Sequence, residues 1–558
     1  MKGVAEKVLV LGAGAAGIKA ALSEAAAGNK VYLAEHFPGI GGERVPQDRI
    51  IADADALISP DLAAIKDNDK VEVLTNADVR ALVGENGQYK VKIHCLTPRV
   101  HTEKDDNLIN AIRVCPIHMN DDYNEGLEWR TAVDFFNSAW GGYNVYKEDM
   151  PVCQRTCPMN LDIRTYVGQI ADGNYAESLA TIREKLPFPL SIGRVCPHPC
   201  EGECNRQYLD EPISICFLKR YVADVEVNSN TEPKIQVPEE TYPEKIAIIG
   251  GGPSGLTCAY HLALLGYANN ITVFEALPKP GGMFLVGIPE YRLPKAILAK
   301  DVEFVAKHGV EIKCGVRMGK DISFDDIRKD YDAVLIAIGA HLGMSMRVKN
   351  EDAEGCVEGV KFLRDAGLGN EVPNKGTAIV VGGGNVAMDV ARTSLRVGFD
   401  EVNLLYRRTR KEMPASPWEV DAAEHEGINF HFLVAPQEVV VKDGKAVGMK
   451  CLRMELGEPD ASGRRSPVPI EGSEFVMDAD TVFAAIGQVT DASIVDEKHG
   501  FKIGRKSNFE VNPKTFETNV EGVFASGDAA TGANIAIRAC AGGKTAAESI
   551  HKYLRGKK

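Results

Sequence analysis

No apolar run in the sequence approaches the roughly 20 residues that a membrane-spanning helix needs, which excludes a helical spanning protein. The apolar start is broken by Glu6 and Lys7 and runs into glycines instead of a cleavage site, so it does not read as a secretory leader. The expected location is the cytoplasm, where thiols stay reduced, and the 13 cysteines are therefore not read as a disulfide framework. No two cysteines stand in C-x-x-C spacing, which argues against a dithiol relay of the thioredoxin-reductase kind. Basic residues are outnumbered, 64 Lys and Arg against 78 Asp and Glu, giving a net charge of -14. Nucleic acid is excluded as an expected partner on that balance, while a basic protein partner fits it. The 44% hydrophobic and 25% charged composition is that of a soluble globular chain, and 558 residues suffice for three or four domains.

The chain does have one device three times. KVLVLGAGAAGIKAALSEAAAGNKVYLAEH reads as strand, tight turn, helix and strand, with Gly12, Gly14, Gly17 and a closing Glu35. KIAIIGGGPSGLTCAYHLALLGYANNITVFEA repeats it with Gly250, Gly252, Gly255 and Glu275. GTAIVVGGGNVAMDVARTSLRVGFDEVNLLYRR repeats it with Gly382, Gly384 and Ala387, but closes on Arg407 and Arg408. In a dinucleotide fingerprint the first glycine permits the turn, the second admits a pyrophosphate, and the third lets helix meet strand. An acidic residue at the second strand's end accepts from a ribose 2′-OH, whereas arginine pairs with a 2′-phosphate. Glu275 thus suits the adenosine of FAD, and Arg407 with Arg408 suits NADP(H) over NAD(H). Two buried-strand patterns, DAVLIAIGA (332–340) and DTVFAAIGQ (480–488), bracket the third fingerprint, as expected for an NADP(H) domain inserted into an FAD domain.

From about residue 146 onward the chain resembles the small (beta) subunit of NADPH-dependent glutamate synthase. Its relatives include the large subunit of the ferredoxin:NADP transhydrogenase and the N-terminal half of dihydropyrimidine dehydrogenase. The resemblance rests on the CP after Thr156, GRVCPHPCEGEC, PGGMFLVGIPEYRLPK (280–295), GGGNVAMDVARTS and YRRTRKEMPASPWEVDAAEHEG. It implies an α/β fold of two nested Rossmann-like domains preceded by a helical iron-sulfur domain. It also implies a flavin loop through Gly282 and Met283, and a Gly527-Asp528 pair facing the ribityl and pyrophosphate region of FAD. The expected boundaries are 146–238 for the iron-sulfur domain, 239–345 and 487–558 for the two parts of the FAD domain, and 346–486 for the inserted NADP(H) domain.

Six of the cysteines cluster, at 153, 157, 196, 200, 204 and 216. Thiolates are soft ligands for iron-sulfur clusters or zinc, and a neighbouring flavin favours the former because zinc carries no electrons. Structural zinc and plain buried cysteines are the alternatives. The family resemblance implies two [4Fe-4S] clusters, but the C-x2-C pair expected before Cys153 is replaced by KEDMP. One ligand set keeps Cys157, Cys196 and Cys200; the other keeps only Cys153 and Cys204. The downstream non-cysteine ligand falls on Lys219, a poor iron ligand, and Cys216 lies one helical turn earlier. One cluster is expected, on Cys157, Cys196, Cys200 and Cys216, with Cys153 and Cys204 nearby but short of a set; the alternative makes Cys216 an apolar core residue beside Ile213 and Phe217.

Residues 1–145 resemble the opening of the heterodisulfide reductase and quinone-interacting oxidoreductase flavoproteins, through LAEHFPGIGGE and RVCPIHMNDDYNEGLEWRTAVDFF. Only Cys95 and Cys115 remain of that family's cysteine insert. Gly12, Gly14, Gly17 and Glu35 suit either a second FAD or a purely structural Rossmann-like unit, and the sequence leaves both open. The expected function is an NADPH-linked electron-transfer subunit, passing electrons through FAD to the cluster and on to another redox subunit or ferredoxin-like carrier in a hetero-oligomer. No acid, base or nucleophile is required, so no catalytic residue is expected. The competing readings are the reverse, ferredoxin-to-NADP or bifurcating direction, and a non-catalytic assembly subunit with vestigial sites.

Overall fold

The computed structural model describes residues 7–37, 39–41, 54–85, 88–95, 113–115, 118–120, 129–131, 133–137, 142–145, 150–229, 231, 233–235, 238, 240–460 and 463–556. They fall into two compact units, Met1–Pro151 and Val152–Lys558. Among the described residues no helix is long and apolar enough to cross a membrane.

In the first unit the run KVLVL forms β1 (Lys7–Leu11), followed by helix Ala15–Ala26, β2 (Lys30–Ala34), helix Ala54–Lys66 and β3 (Val71–Leu74). The three strands are parallel in the order β1-β2-β3, over a core that includes Ile18, Ala21, Val31, Leu33, Leu62 and Ile65. Three antiparallel hairpins follow: β4 (Ala77–Glu85) with β5 (Gln88–Cys95), β6 (His118–Asn120) with β7 (Trp129–Thr131), and β8 (Val133–Asn137) with β9 (Gly142–Val145). Part of the resembling N-terminal segments, including Gly42 and Glu43, lies outside the described residues. Cys95 is exposed and Cys115 half-buried.

The second unit opens with short helices, Val152–Thr156, Ile163–Ala171, Tyr175–Arg183, Pro189–Val195, Pro199–Gly202 and Ile215–Asn228. Strands β10 (Ile246–Ile249), β11 (Ile271–Glu275), β12 (Val310–Cys314) and β13 (Ala333–Ile336) come next, and the chain then leaves through β14 (Leu342–Gly343). A second domain runs through β15 (Cys356–Glu358), β16 (Thr377–Val381), β17 (Glu401–Tyr406), β18 (Asn429–Phe432), β19 (Val434–Lys442), β20 (Lys445–Pro459), β21 (Arg465–Pro469), β22 (Phe475–Asp478) and β23 (Thr481–Ala484). The chain returns through β24 (Gln488–Val489), antiparallel to β14, and adds β25 (Val523–Ala525) to the first sheet. The first sheet is all-parallel in the order β12-β11-β10-β13-β25, and the inserted one is all-parallel in the order β15-β23-β16-β17-β18. Their central strands, IAII, AVLI and TAIVV, read as almost unbroken apolar runs because both faces of each sheet are covered there, whereas the edge strands VEIKC and NFHF carry polar residues. Strands β19 to β22 form a separate antiparallel sheet beside the insert.

The helical domain shares its core with the first sheet. Tyr166, Phe188, Leu190 and Ile192 belong to the same buried cluster as Tyr260, Phe284, Phe304 and Leu554. Polar contacts fix the alignment: Tyr260 donates to the Arg183 carbonyl at 2.9 Å, and Arg183 lies 4.1 Å from the Phe304 ring centre while pairing bidentately with Glu226. Asp301, 1% exposed, accepts the Ser191 N–H at 2.8 Å at the start of helix Pro189–Val195. Burial pushes its carboxyl up to about 7.

Because the folded pKa of Asp301 lies above the unfolded value, the folded state keeps the proton longer and the group loses stability for the fold as pH rises from about 4 through 7. Asp301→Asn, which keeps an oxygen for Ser191, is expected to raise stability at pH 8 by up to about 4 kcal/mol and to give no gain at pH 4. Thermal melts of the cofactor-loaded protein at the two pH values check it; a gain independent of pH would refute the burial argument.

Candidate functional site

The second fingerprint sits where β10 turns into helix Pro253–Leu262. Gly250 has φ +110, and a Cβ there would lie 2.4 Å from the Ala337 carbonyl oxygen, so only glycine fits. A Cβ on Gly255 would lie 2.0 Å from the Gly250 oxygen, whereas at Gly252 it would meet only the Gly282 Cα, 3.7 Å away. The open space over Gly252, at the helix N-terminus, is what a pyrophosphate requires. Glu275 is 5% exposed and accepts from the Gly251 N–H on Oε2 and the Leu277 N–H on Oε1, both at 2.7 Å. Burial raises its pKa against those two donors. Gly281 N–H donates to the Gly251 oxygen at 2.7 Å, which draws the Gly282-Met283 loop over the turn. Across the sheet the hydroxyls of Ser254 and Ser526 meet at 2.6 Å, fixing Gly527 and Asp528 against the fingerprint helix. Asp528 is pushed up to about 7 by burial, opposed by the Asn534 N–H.

The third fingerprint, Gly382, Gly384 and Ala387, joins β16 to helix Asn385–Val397 in the same way, with space over Gly384 for a phosphate. Here the two arginines part company. Arg407 is exposed, lines the cavity and has no side-chain partner among the described residues. Arg408 is 5% exposed and tied up, its Nε donating to the Arg465 carbonyl at 2.8 Å and a terminal nitrogen to Asp460 at 2.6 Å. One cavity of about 2070 Å³ runs past Gly252, Glu275, Asp528, Gly384, Arg407 and Cys196.

The thiols converge beside that cavity. Cys196 caps helix Pro189–Val195, His198 takes a left-handed conformation (φ 39), and Pro199 opens the turn that carries Cys200. Cys157, Cys200, Cys204 and Cys216 are buried, while Cys153 and Cys196 are half-buried. Cys216 Sγ lies 3.5 Å from the Gly193 carbonyl and hydrogen-bonds the Cys196 thiol. That bond, with Lys219 and His198 beside it, holds Cys196 down to about 6, while burial pushes Cys200 up to about 12. Ile213 and Phe217, expected beside Cys216 in an apolar alternative, are 39% and 64% exposed, while Cys216 itself is buried.

One residue in this pocket, Tyr166, went unread in the sequence, and another, Lys219, read only as a poor iron ligand. Lys219 is 4% exposed; burial lowers its pKa, but Cys196, Cys216, Cys157 and Cys200 outweigh that and hold it above the ordinary lysine value. Tyr166 is fully buried, feels Cys200, Cys157, Cys216 and Cys153, and its hydroxyl has no hydrogen-bond partner. An orphaned hydroxyl and four facing thiols fit a bound inorganic sulfide cluster, which supplies both cation and acceptor. Among the described residues no three His, Cys, Asp or Glu side chains close on a single ion, the geometry that zinc would need.

The first fingerprint repeats the second bond for bond. Glu35, 8% exposed, accepts from the Ala13 N–H at 2.6 Å and the Phe37 N–H at 3.0 Å, and Gly41 N–H donates to the Ala13 oxygen at 2.8 Å. A Cβ on Gly17 would lie 1.9 Å from the Gly12 oxygen, and one on Gly14 would meet nothing within 4 Å.

Two nested parallel sheets, each with a dinucleotide cradle, and a thiol-rich helical domain define an FAD- and pyridine-nucleotide-dependent oxidoreductase with a 4Fe-4S domain. The chain belongs to the pyridine nucleotide-disulphide oxidoreductase family, matched over residues 244–543. Residues 146–231 match dihydropyrimidine dehydrogenase domain II, a 4Fe-4S cluster domain. The chain is 47% identical over 426 residues to the NADP(+)-dependent formate dehydrogenase subunit beta of Moorella thermoacetica, covering 72% of this chain and 60% of that one. It is 42% identical to the NADPH-Fe(3+) oxidoreductase subunit beta of Geobacter sulfurreducens, covering 72% and 63%. To the glutamate synthase [NADPH] small chain of Escherichia coli K12 it is 34% identical, covering 72% and 89%. The chain thus spans less than two thirds of the first two relatives' length.

Cys216→Ser, made and handled anaerobically, is expected to lower bound iron well below about four atoms per chain. Iron analysis with the visible cluster spectrum measures it, and an unchanged spectrum would remove Cys216 from the ligand set. About eight irons in the unaltered chain would overturn the single-cluster reading.

Proposed function

We propose that this chain is an electron-transfer subunit that takes hydride from NADPH and delivers electrons one at a time, by way of FAD and one [4Fe-4S] cluster, to a separate redox subunit or ferredoxin-like carrier in the cytoplasm. The observation that carries the reading is the single cavity lined by both dinucleotide cradles of the second unit and by Cys196 and Cys216. FAD, when bound, supplies the conversion between a two-electron hydride and single electrons. The chain's own part is placement. Gly252 and Glu275 anchor the adenosine side of FAD, Gly282, Met283 and Asp528 border its redox end, and Gly384 with Arg407 receives the pyridine nucleotide. Cys157, Cys196, Cys200 and Cys216 hold the cluster, with Lys219 offsetting thiolate charge and the Tyr166 hydroxyl offering a hydrogen bond toward it.

The names of the relatives, NADPH- or NADP-linked subunits of larger enzymes, support the nucleotide and the hetero-oligomer. The first unit keeps the adenosine-binding half of a fingerprint, and a second FAD there is part of the proposal.

Anaerobic mixing with NADPH is expected to bleach a flavin band, with NADH much less effective; equal use of both nucleotides, or a colourless protein, would refute the reading. If the first fingerprint is occupied, extracted FAD approaches two per chain and falls to one on Gly14→Val, whose side chain blocks the pyrophosphate approach. One FAD in fully loaded, unaltered protein, unchanged by that substitution, makes the first unit structural.

A further inference from the structure

The inserted domain is joined to the FAD domain through two short crossings, β14 and β24, which pair antiparallel. Such a pair is a hinge, so the angle between the two cradles is set by what else the domains share. Helix Gly359–Leu368 of the insert comes close to the flavin loop, where a Cβ on Gly367 would lie 3.2 Å from the Leu285 oxygen, but apolar packing has no direction of its own. Direction comes from Tyr291 and Arg292, at the far end of the segment that begins with Gly282 and Met283. Lys295 ties their end back to that loop, its Nζ donating to the Phe284 carbonyl at 2.9 Å and to the Ile288 carbonyl. Across the domain boundary, Arg292 Nη1 donates to both oxygens of the buried Asp389, at 2.9 and 2.7 Å, and its Nε lies 3.0 Å from Glu419 Oε1 on helix Pro417–His425. Asp389 sits in the second turn of helix Asn385–Val397, which starts at the Gly384 cradle. Glu419 is held in turn by Arg392 Nη1 of that helix at 2.6 Å, and the guanidinium groups of Arg392 and Arg396 lie 4.6 and 3.9 Å from the Tyr291 ring centre.

We propose that Arg292 is a positioning residue for hydride transfer: anchored on Asp389 and Glu419, it fixes the NADP(H) domain so that a nucleotide seated at Gly384 presents its nicotinamide to the Gly282-Met283 end of the flavin cradle. The inference rests on the NADPH-to-FAD reading above. Arg292, Asp389 and Glu419 line the same cavity as Gly384 and Met283. Their charges are spent on one another across the boundary, so their part is orientation. Orientation is what the transfer depends on, since a displacement of about 1 Å between reacting groups can cost about 100-fold in rate.

Anaerobic stopped-flow reduction of the full, cofactor-loaded chain by NADPH tests it, beside calorimetric titration with 2′,5′-ADP, which carries the adenosine phosphates but no nicotinamide. Arg292→Ala is expected to lower the limiting rate of flavin reduction roughly 10- to 100-fold and to weaken the long-wavelength absorbance that a stacked nicotinamide and reduced flavin share. Affinity for 2′,5′-ADP and FAD content stay within error. Because Arg292→Ala leaves a buried carboxylate unpaired, Arg292→Lys is made alongside; it keeps the charge on fewer contacts and is expected to restore part of the rate. Arg292→Ala combined with Asp389→Ala falls no further than Arg292→Ala alone, since both break one contact. An unchanged limiting rate in both Arg292 variants, a matching loss of 2′,5′-ADP affinity, loss of FAD from both, or additive losses in the double variant each overturn the assignment. If NADPH leaves the flavin of the unaltered chain oxidised, the NADPH reading itself falls, a result distinct from these.

Discussion

The helical cysteine domain has no core of its own, and that constraint governs the rest of the second unit. Helices as short as Pro189–Val195 do not persist alone in water. They hold here because Phe188, Leu190 and Ile192 are buried with Phe284, Phe304 and Tyr260 of the FAD domain. Phe188 and Phe284 meet edge to face with ring centres 5.7 Å apart, so the cysteine helix packs directly on the loop that borders the flavin cradle. The packing that makes the domain fold therefore also fixes the spacing between the cysteine helix and the dinucleotide cradle. Separation of the two domains would expose a common core, so they move as one body.

Charge burial follows the same plan. Lys219 and Asp301 are both almost wholly buried, each on a helix that packs against the cysteine helix. The lysine is held in its charged form by the cysteines it faces; the aspartate, met by the backbone N–H groups of Ser191 and Leu190, is driven by burial toward its neutral form. A buried ammonium among soft anions is costly in a reduced, empty pocket and favourable once several thiolates share its field. In the proposed site the position that a family ligand would occupy carries this counter-charge, and Cys216, one turn away, would take that ligand's place.

Much of this was legible in the sequence because it is local. Each glycine fingerprint is a short continuous stretch with a strand on either side, and the two Ile-Gly strands that bracket the third copy disclose the insertion. What the sequence hid depends on distant partners. Arg408 reads as a ligand until Asp460, 52 positions on, takes its guanidinium. Lys219 reads only as a poor iron ligand at a family ligand position, since nothing in ICFLKRYVADVEVN says that it is buried among Cys157, Cys196, Cys200 and Cys216 as their counter-charge. Tyr166 reads as ordinary core; only its unpartnered hydroxyl marks it, and that is a property of the folded pocket.

The three fingerprints, compared at one position, show how a single unit is turned to different nucleotides. Strand register sets Glu35 opposite Gly12 and Glu275 opposite Gly250, one step beyond the pairs Leu11 with Ala34 and Ile249 with Phe274. The same step beyond Val381 and Leu405 sets Tyr406 opposite Gly382. All three copies keep the loop contact onto the turn, from Gly41, Gly281 and Ala415 to the oxygens of Ala13, Gly251 and Gly383. Only the first two keep the carboxylate. In the third, Tyr406 donates its hydroxyl to the Glu412 carbonyl and its ring fills the space beside Gly383, where a Cβ would lie 2.4 Å away. Removing the carboxylate takes away both the acceptor for a ribose 2′-OH and the charge that would repel a 2′-phosphate, so selection at the third copy begins with this exchange, before any arginine acts. By the same logic Glu35, held in the geometry of Glu275, would accept from a free ribose 2′-OH and repel a 2′-phosphate in any nucleotide that the first unit held.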